Sequence, residues 1–351
     1  MEFGVVFASR IGDHDLVQLA ESLGFAQAWF FDSQMIYSDV YATMALAADR
    51  TRRIRLGTGV AVPTTRMAPT IAHSIATVNQ LAPGRVELGV GAGNTARLTM
   101  GLKPVALGRM LRDLRVIRDL LDGKETILRE EGEEHRIKLL HQNHGFVRLD
   151  PRIPITLSAF GPKALAAAGR EMDGHLTWGT SAAQIGEART AIAESARNAG
   201  RDPAAIPTKV IWPTAVLHRG ETSGTRRVLR SLESFIVNFL HVQAEWGDGL
   251  LRGSPKLADV VERYKKHVET FPKATRHLTL HEGHLVYARP DEHAFLIPEL
   301  AETVALVGEP DDLIERIRGL ERAGASHFAF QVTDDPVRQL QDFAQLVMRR
   351  Y

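Results

Sequence analysis

The stretch LAPGRVELGVGAGN, at residues 81–94, contains the pattern that decides the fold. A helix predicted at residues 68–81 ends at the first residue of this stretch. Residues 85–90 predict a short strand, and residues 91–94, which include two glycines and one asparagine, follow it. Glycine and polar residues directly after a short parallel strand are typical of the face of a β/α barrel that carries the active site. The stretch therefore predicts one unit of a repeating β/α fold.

The same unit recurs on both sides of this stretch. Helical segments of about 10–15 residues separate most of the predicted strands, as in βαβ units with a parallel sheet. An open doubly wound sheet and a closed barrel both fit this alternation. Short strands that end in polar residues favour the α/β class with a (β/α)8 TIM barrel. The predicted strands are residues 3–8, 28–31, 54–62, 85–90, 154–159, 175–178, 208–216 and 328–332.

We predict one domain over residues 1–351. Two segments within it interrupt the alternation of strands and helices. Residues 124–149 are polar and predict an excursion outside the barrel, whereas residues 221–298 are mostly helical and follow strand seven. Loops that follow barrel strands lie on the active-site face. In residues 221–298, Phe235, Phe239 and Trp246 lie at near-helical spacing, which predicts an apolar face. We therefore predict a helical cover over the mouth, with an oligomer contact as the alternative.

Composition and charge exclude several classes of protein. The 43 Lys and Arg residues nearly balance the 42 Asp and Glu residues, so nothing indicates a nucleic-acid partner. The absence of cysteine excludes disulfides and thiolate chemistry. No apolar run approaches the roughly 18 residues of a membrane span. The N-terminal sequence MEFGVVF predicts a strand rather than a signal peptide. We expect a cytoplasmic enzyme without membrane contact.

Glycines mark the predicted barrel mouth. Gly57 and Gly59 interrupt strand three, which indicates either a close approach of the backbone to a ligand or a tight barrel corner. The run Gly89, Gly91 and Gly93 has the wrong spacing for a dinucleotide-binding fingerprint. Because glycine lacks Cβ, such segments allow a flat ring or a phosphate to approach the backbone.

Three motifs together carry a resemblance to a known family. These are LGTGVAVP at 56–63, the stretch at 81–94 and GEPDDLIERIRGLERAGASHFAFQV at 308–332. The chain resembles the bacterial luciferase-like superfamily of flavin- or deazaflavin-dependent oxidoreductases, which are (β/α)8 barrels. Its N-terminal half is most similar to the branch with methylenetetrahydromethanopterin reductase and deazaflavin-dependent glucose-6-phosphate dehydrogenase. The resemblance covers residues 1–180 and 305–351 and leaves 221–298 unplaced.

The resemblance implies a set of site residues. It implies that a cis peptide between Gly59 and Val60 backs the cofactor ring, so that Gly59→Leu should abolish cofactor binding without unfolding the chain. It also implies that Asp32 lies beside the ring as a catalytic residue. The next position is often His in the deazaflavin branch and is Ser33 here. The implied cofactor-binding residues are Gly59, Val60, Ala61, Gly91, Ala92, Gly93, Asn94, Ser158, Ala159, Phe160 and Gly161.

Three histidines, His277, His281 and His284, lie close together in the insertion. Their spacing is similar to part of a zinc motif, but the HExxH pattern is absent. Metal ligands, polar residues of a substrate pocket and ordinary surface histidines are the three alternatives. We assign catalytic roles in the pocket to His281 and His284 and expect no metal. Alanine at both positions should then impair turnover or substrate binding.

The resemblance implies a reduced-flavin-dependent oxidoreductase. Our main prediction is an FMN-dependent monooxygenase that acts on a small organic substrate with O2 and receives reduced FMN from a separate flavin reductase. The alternative is a hydride-transfer oxidoreductase that uses coenzyme F420, and a second alternative is a non-catalytic flavin-binding relative. The resemblance also implies a homodimer with residues 68–81 at the contact, which light scattering can test.

Overall fold

The computed structural model describes residues 1–179, 181–247 and 255–351. Eight parallel strands close into a barrel in the order β1-β12-β9-β8-β7-β4-β3-β2, which confirms the predicted fold class. The strands of the described residues are β1 (Glu2–Phe7), β2 (Gln27–Phe30), β3 (Arg55–Thr58), β4 (Val86–Val90), β5 (Thr126–Glu130), β6 (Glu133–Ile137), β7 (Ile155–Ser158), β8 (Gly174–Trp178), β9 (Thr208–Ile211), β10 (Thr214–Val216), β11 (Leu306–Gly308) and β12 (Ala325–Gln331).

Helices surround the barrel and cover one of its ends. Helix α3 has the bounds predicted for residues 68–81, and Asn79 and Gly84 form a hydrogen bond at its end. The helices of the described residues are α1 (His14–Leu23), α2 (Val40–Arg50), α3 (Ala68–Leu81), α4 (Asn94–Leu98), α5 (Leu107–Leu121), α6 (Pro162–Glu171), α7 (Ala182–Asn198), α8 (Arg226–Trp246), α9 (Pro255–Glu269), α10 (Arg276–Leu280), α11 (Pro298–Val304), α12 (Pro310–Arg322) and α13 (Pro336–Asp342). Among the described residues, no helix combines the length and apolarity needed to cross a membrane.

The barrel strands are mostly buried on both faces, so their side chains alternate between two apolar clusters. In β1, Val5 and Phe7 pack with the surrounding helices, whereas Val6 belongs to a cluster that joins the barrel interior to α8, α9 and α11. This alternation follows from the two-residue repeat of a strand. The apolar side chains of the insertion therefore continue the barrel core beyond its mouth.

The barrel interior also contains a buried charged pair. Lys209 Nζ on β9 lies 2.7 Å and 2.5 Å from the two carboxylate oxygens of Glu87 on β4. Gln27 and Thr156 donate further hydrogen bonds to this carboxylate. A buried charge needs both an opposite charge and hydrogen bonds, and three other strands, β2, β7 and β9, supply them to Glu87. This network links the strands across the barrel.

The indole of Trp29 explains two of the glycines in strand three. A Cβ on Gly57 would lie 2.7 Å from Trp29 Cε3, and one on Gly59 would lie 3.2 Å from Trp29 Cβ. Gly57 and Gly59 thus make room for a side chain that fills the barrel centre. A Cβ at position 59 would therefore be in tight contact with Trp29, and the loss of cofactor binding expected for Gly59→Leu stays a prediction.

Strand seven is shorter than predicted. We predicted one strand at 208–216, but β9 ends at Ile211 and the chain leaves the barrel before β10. Pro213, between them, has no N–H to donate to a strand ladder. β10 instead pairs in parallel with β11, from Thr214↔Leu306 to Val216↔Gly308. This two-stranded sheet closes the base of the insertion.

The excursion at 124–149 contains an antiparallel hairpin of β5 and β6, outside the barrel as predicted. The homodimer contact through α3 stays a prediction. Most apolar residues of α3, including Ile71 and Ile75, are buried within the chain. Leu81 at its end and Met67 just before it expose about half of their surface. The large apolar side chains that α3 exposes therefore lie at its two ends.

Candidate active site

A cavity of about 550 Å³ opens at the C-terminal ends of the barrel strands. Asp32, Gly59, Gly91 and Ser158 all line it, as the sequence-based prediction required. Of the other residues predicted for the site, Val60, Ala92, Gly93, Asn94, Phe160, His281 and His284 also line the cavity. The structure thus brings residues from five separate parts of the chain to one mouth.

Three predicted cofactor-binding residues lie outside this wall. Ala61 bridges to Val90 and is fully buried in the outer core. Ala159 is also buried there, and its carbonyl contacts His175 Nε2 at 2.9 Å. Gly161 is exposed at the start of α6. Ser158 and Phe160 line the cavity whereas Ala159 and Gly161 do not, as expected where side chains alternate along an extended segment. Cofactor binding by Ala61, Ala159 and Gly161 stays a prediction.

The floor of the cavity is made of backbone and small side chains. The Gly59–Val60 peptide is cis, as the family resemblance implies. Gly91 packs directly against Val60, and a Cβ on Gly91 would lie 2.6 Å from Val60 Cγ2 and 3.4 Å from Ser158 Cβ. Any side chain at position 91 would thus occupy the floor. This surface fits a flat ring, because nothing projects from it at Gly91.

Asp32 lies at one wall as part of an ion pair. Its two carboxylate oxygens lie 2.7 Å and 2.6 Å from Nη1 of Arg66, and Gln34 donates a third hydrogen bond to it. Arg66 also contacts Asp39, the residue that caps α2. Burial raises the pKa of Asp32, and the guanidinium of Arg66 opposes this rise. Both carboxylate oxygens of Asp32 are therefore already engaged, and in this arrangement Asp32 positions Arg66.

The insertion forms the roof of the cavity, where we predicted a helical cover. Asn238, His241 and Glu245 of α8 line the cavity from above, together with His281 and His284 after α10. Phe235 lies in the apolar cluster beneath α8, and Phe239 packs against it. The side chain of Trp246 lies outside the described residues. His277 is absent from the cavity wall and lies beside Gly101 instead.

Two hydrogen bonds fix the segment that carries His284. Tyr37, which follows β2, donates from its hydroxyl to the carbonyl of His284 over 2.8 Å. Gln331 on β12 donates to the carbonyl of Leu285 over 2.6 Å. The roof is thus tied directly to the barrel, close to where the imidazoles enter the cavity.

The structure groups His281 and His284 with His241 and not with His277. Possible ligand atoms of His241, His281 and His284 lie within 4.8 Å of one another, and all three residues are buried. The sequence-based prediction missed His241 because the group spans two separate helices. One signal was available: Asn238, His241 and Glu245 recur at helical spacing, on the face of α8 that lines the cavity.

A buried carboxylate supports this group from behind. Glu292 accepts hydrogen bonds at Oε1 from Tyr264 over 2.7 Å, and His241 Nε2 lies 3.0 Å from the same oxygen. Burial raises the pKa of Glu292, but these partners outweigh that effect and the net pKa lies below the ordinary range. Glu292 is therefore ionised at neutral pH and holds the adjacent ring of His241 in one orientation.

A family model identifies the relatives of the chain. The model described as luciferase-like monooxygenase matches residues 8–327, which include both the floor and the roof. The chain belongs to this family. The luciferase-like resemblance and the prediction of an oxidoreductase enzyme are thereby confirmed.

Relatives in sequence are more specific about the branch. The chain is 28% identical over 337 residues to 5,10-methylenetetrahydromethanopterin reductase of Archaeoglobus fulgidus, covering 93% of this chain and 92% of that protein. The reductase of Methanolobus tindarius is 35% identical over 58% of this chain, which spans 62% of that relative. An F420-dependent glucose-6-phosphate dehydrogenase of Microbacterium testaceum is 33% identical, over about half of each chain.

Solved structures share the fold over nearly the whole chain. The F420-dependent tetrahydromethanopterin reductase of Methanopyrus kandleri matches with a TM-score of 0.71 and 20% identity, covering 100% of this chain and 99% of that one. An F420-dependent secondary alcohol dehydrogenase with an F420-acetone adduct gives 0.72 and 18%, covering 99% and 98%. A monooxygenase of Streptomyces bottropensis gives 0.64 and 17%, covering all of both chains. These identities establish the barrel fold alone.

Proposed function

We propose that this protein is a coenzyme F420-dependent oxidoreductase that transfers a hydride to or from a carbon atom of a small organic substrate. The observation that carries the proposal is the set of relatives in sequence, which are named as methanopterin reductases or as F420-dependent dehydrogenases. One of them spans almost the whole chain. This favours the alternative of the sequence analysis over its main prediction, an FMN-dependent monooxygenase.

The floor of the cavity fits the ring of such a cofactor. A Cβ at position 91 would fill the space against Val60 and Ser158, so the glycine keeps that surface open for a planar group. When bound, a deazaflavin supplies hydride transfer. The residues of the chain would hold the ring on this floor, place the substrate beneath the roof and limit the access of water.

The polar groups of the roof suit the proton that accompanies the hydride. Ser33 stands where the deazaflavin branch often has histidine, and Asp32 is engaged by Arg66. The imidazoles of His281 and His284 and the carboxylate of Glu245 face the cavity from the opposite side. In our proposal these groups hold the substrate oxygen and its proton, so the polar chemistry comes from the roof.

The FMN-dependent monooxygenase remains the second candidate. One specific observation favours it: the 3,6-diketocamphane monooxygenase of Pseudomonas putida, solved with FMN, shares this fold with a TM-score of 0.61. In that case a separate flavin reductase would be the partner that supplies reduced FMN. A homodimer would suit either candidate and is proposed on the family resemblance alone.

A binding comparison separates the two candidates. We expect F420 to bind about 100-fold more tightly than FMN, a difference of about 2.7 kcal/mol in binding free energy, by fluorescence titration of the whole chain. We also expect reduced F420 bound to the protein to be stable in air. Tighter binding of FMN, with oxygen consumption when it is reduced, would instead support the monooxygenase.

A further inference from the structure

Three imidazole rings converge in the roof of the cavity. His241 comes from the buried face of α8, and His281 and His284 come from the turn that follows α10. They expose 2%, 4% and 5% of their surfaces. One nitrogen from each ring lies within 4.8 Å of the nitrogens of the other two. Buried histidines in such proximity require a reason beyond packing.

The outer nitrogen of each ring already has a partner. His241 Nε2 lies 3.0 Å from Glu292 Oε1, His281 Nε2 lies 3.2 Å from Glu245 Oε1, and His284 Nε2 lies 2.7 Å from Thr95 Oγ1. The nitrogen left for an inner partner is therefore Nδ1 in all three rings. Two of these outer partners are carboxylates, which hold a neutral imidazole with its proton on Nε2 and its lone pair on Nδ1.

The three inner nitrogens do not all find hydrogen-bond partners among themselves. Nδ1 of His281 and Nδ1 of His284 lie 3.4 Å apart, so one proton could be shared between them. Nδ1 of His241 is buried and has no hydrogen-bond partner among the described residues. A buried polar atom left without a partner costs about 1–3 kcal/mol. A hydrogen-bonded histidine cluster thus explains two of the three inner nitrogens and leaves the third unexplained.

The spacing matches that of ligands around a tetrahedral metal ion. Zinc binds histidine nitrogen at about 2.0–2.1 Å, so two such ligands at the tetrahedral angle lie about 3.3–3.4 Å apart. The 3.4 Å between the two Nδ1 atoms of His281 and His284 has this value. In the other two pairs, one nitrogen of each ring lies within 4.8 Å of a nitrogen of the other ring.

We propose that His241, His281 and His284 form a site for a divalent transition-metal ion of the zinc class, bound through three Nδ1 atoms. Three imidazoles without thiolate suit zinc and its neighbours, whereas magnesium and calcium prefer oxygen ligands. Zinc sites with three protein ligands leave a fourth position open. All three histidines line the cavity, so that position faces it and takes water or an oxygen donor such as an alcohol, a carbonyl or a carboxylate.

The surroundings supply what such a site needs. Metal-bound histidines commonly donate their other N–H to a carboxylate, which fixes the ring and increases its basicity. Glu292 and Glu245 occupy this place behind His241 and His281. The three ligands therefore need little reorganisation.

The site lies across the cavity from the proposed ring-binding floor. An ion there would hold and polarise the substrate oxygen in place of the imidazoles of His281 and His284, as a Lewis acid does for a carbonyl group. This role rests on the proposed function. The metal site itself rests only on the positions of the three rings, so it can be tested on the chain without any cofactor.

The experiment uses the untagged full-length chain, stripped with a chelator and titrated with Zn²⁺ and with Co²⁺. We expect one equivalent to bind, with a Co²⁺ absorption spectrum of the tetrahedral type. His241→Ala, His281→Ala and His284→Ala should each weaken Zn²⁺ binding by at least about 100-fold, and Glu245→Gln by about 10–100-fold. His277→Ala is the matched control, because it removes a histidine of the same segment that lies outside the cavity wall.

Two results would overturn the site. One is a wild-type chain that binds Zn²⁺ no more tightly than the three alanine variants, and the other is an equal loss in His277→Ala. If an alanine variant fails to fold, Zn²⁺ binding by Glu245→Gln still tests the metal site, because this variant leaves all three imidazoles in place. F420 titration of the same stripped chain separates the proposals: F420 binding without Zn²⁺ binding defeats only the metal site, and the reverse defeats only the proposed function.

Discussion

Replacing Lys209 with methionine is expected to lower the free energy of unfolding by about 3–5 kcal/mol, because it leaves the Glu87 carboxylate as an unpaired charge inside the barrel. Glu87 is 4% exposed, and both of its oxygens contact the ammonium. Methionine keeps most of the length and apolar character of the lysine stem. Denaturant unfolding monitored by tryptophan fluorescence measures the effect.

Lys124→Met is the control, because it makes the same substitution in an exposed pair with Asp122. Ion pairs at the surface contribute little. Glu87→Gln combined with Lys209→Met should recover much of the lost stability, because no charge then remains buried. A Lys209→Met variant as stable as the control would show that the carboxylate is not ionised in the folded chain.

The same pair gives a pH dependence. Burial raises the pKa of Glu87, but Lys209 and the hydrogen bonds from Thr156 and Gln27 outweigh burial and lower it. A carboxylate with a lowered pKa stabilises the fold above its unfolded-state pKa and loses this contribution as the pH falls. The difference between wild type and Lys209→Met should therefore be largest near neutral pH and shrink in acid.

Replacing Gly91 with leucine is expected to weaken binding of the proposed F420 cofactor by at least about 100-fold, or about 2.7 kcal/mol. Its Cβ would lie 2.6 Å from Val60 Cγ2, and the rest of the side chain would have to lie over the floor. The cavity of about 550 Å³ can accept a leucine, so the fold should persist. Fluorescence titration with F420, and with FMN in parallel, measures the loss.

Gly108→Leu is the matched control, because Gly108 is exposed near the start of α5 and a Cβ there would meet nothing within 4 Å. It should bind the cofactor as the wild type does, and circular dichroism should show both variants folded. Unchanged affinity of Gly91→Leu for F420 and for FMN would mean that the cofactor lies elsewhere. Gly91→Leu thus tests the floor at a second position beside Gly59→Leu, because both glycines line the cavity.

Local patterns in the sequence were enough to predict the barrel. Most barrel strands are short and apolar and are followed within a few residues by glycine or polar residues, so consecutive residues are enough to indicate their place in the fold. The break in strand seven was also available, because Pro213 cannot donate to a ladder. The residues on both sides of Pro213 are β-branched or apolar, as strand residues usually are, and this pattern favours one continuous strand over residues 208–216.

The polar groups of the site were harder to predict because their partners are distant in the chain. Glu87 stands out within an apolar strand, but its partner Lys209 lies 122 residues away. His241 and Glu292 are separated by 51 residues and meet only once α8 is folded over the barrel. Without an alignment, a single sequence shows that a buried charge needs a partner, but not which residue provides it.

The parallel pairing of β10 with β11 has a consequence for how this enzyme could diversify. Paired strands lie about 4.7–4.9 Å apart, so the roof segment leaves and rejoins the barrel at neighbouring points. Its length can therefore change without moving either anchor. Grafting residues 217–305 between related barrels would therefore exchange the roof of the cavity. The floor at Gly59, Val60 and Gly91 would stay the same.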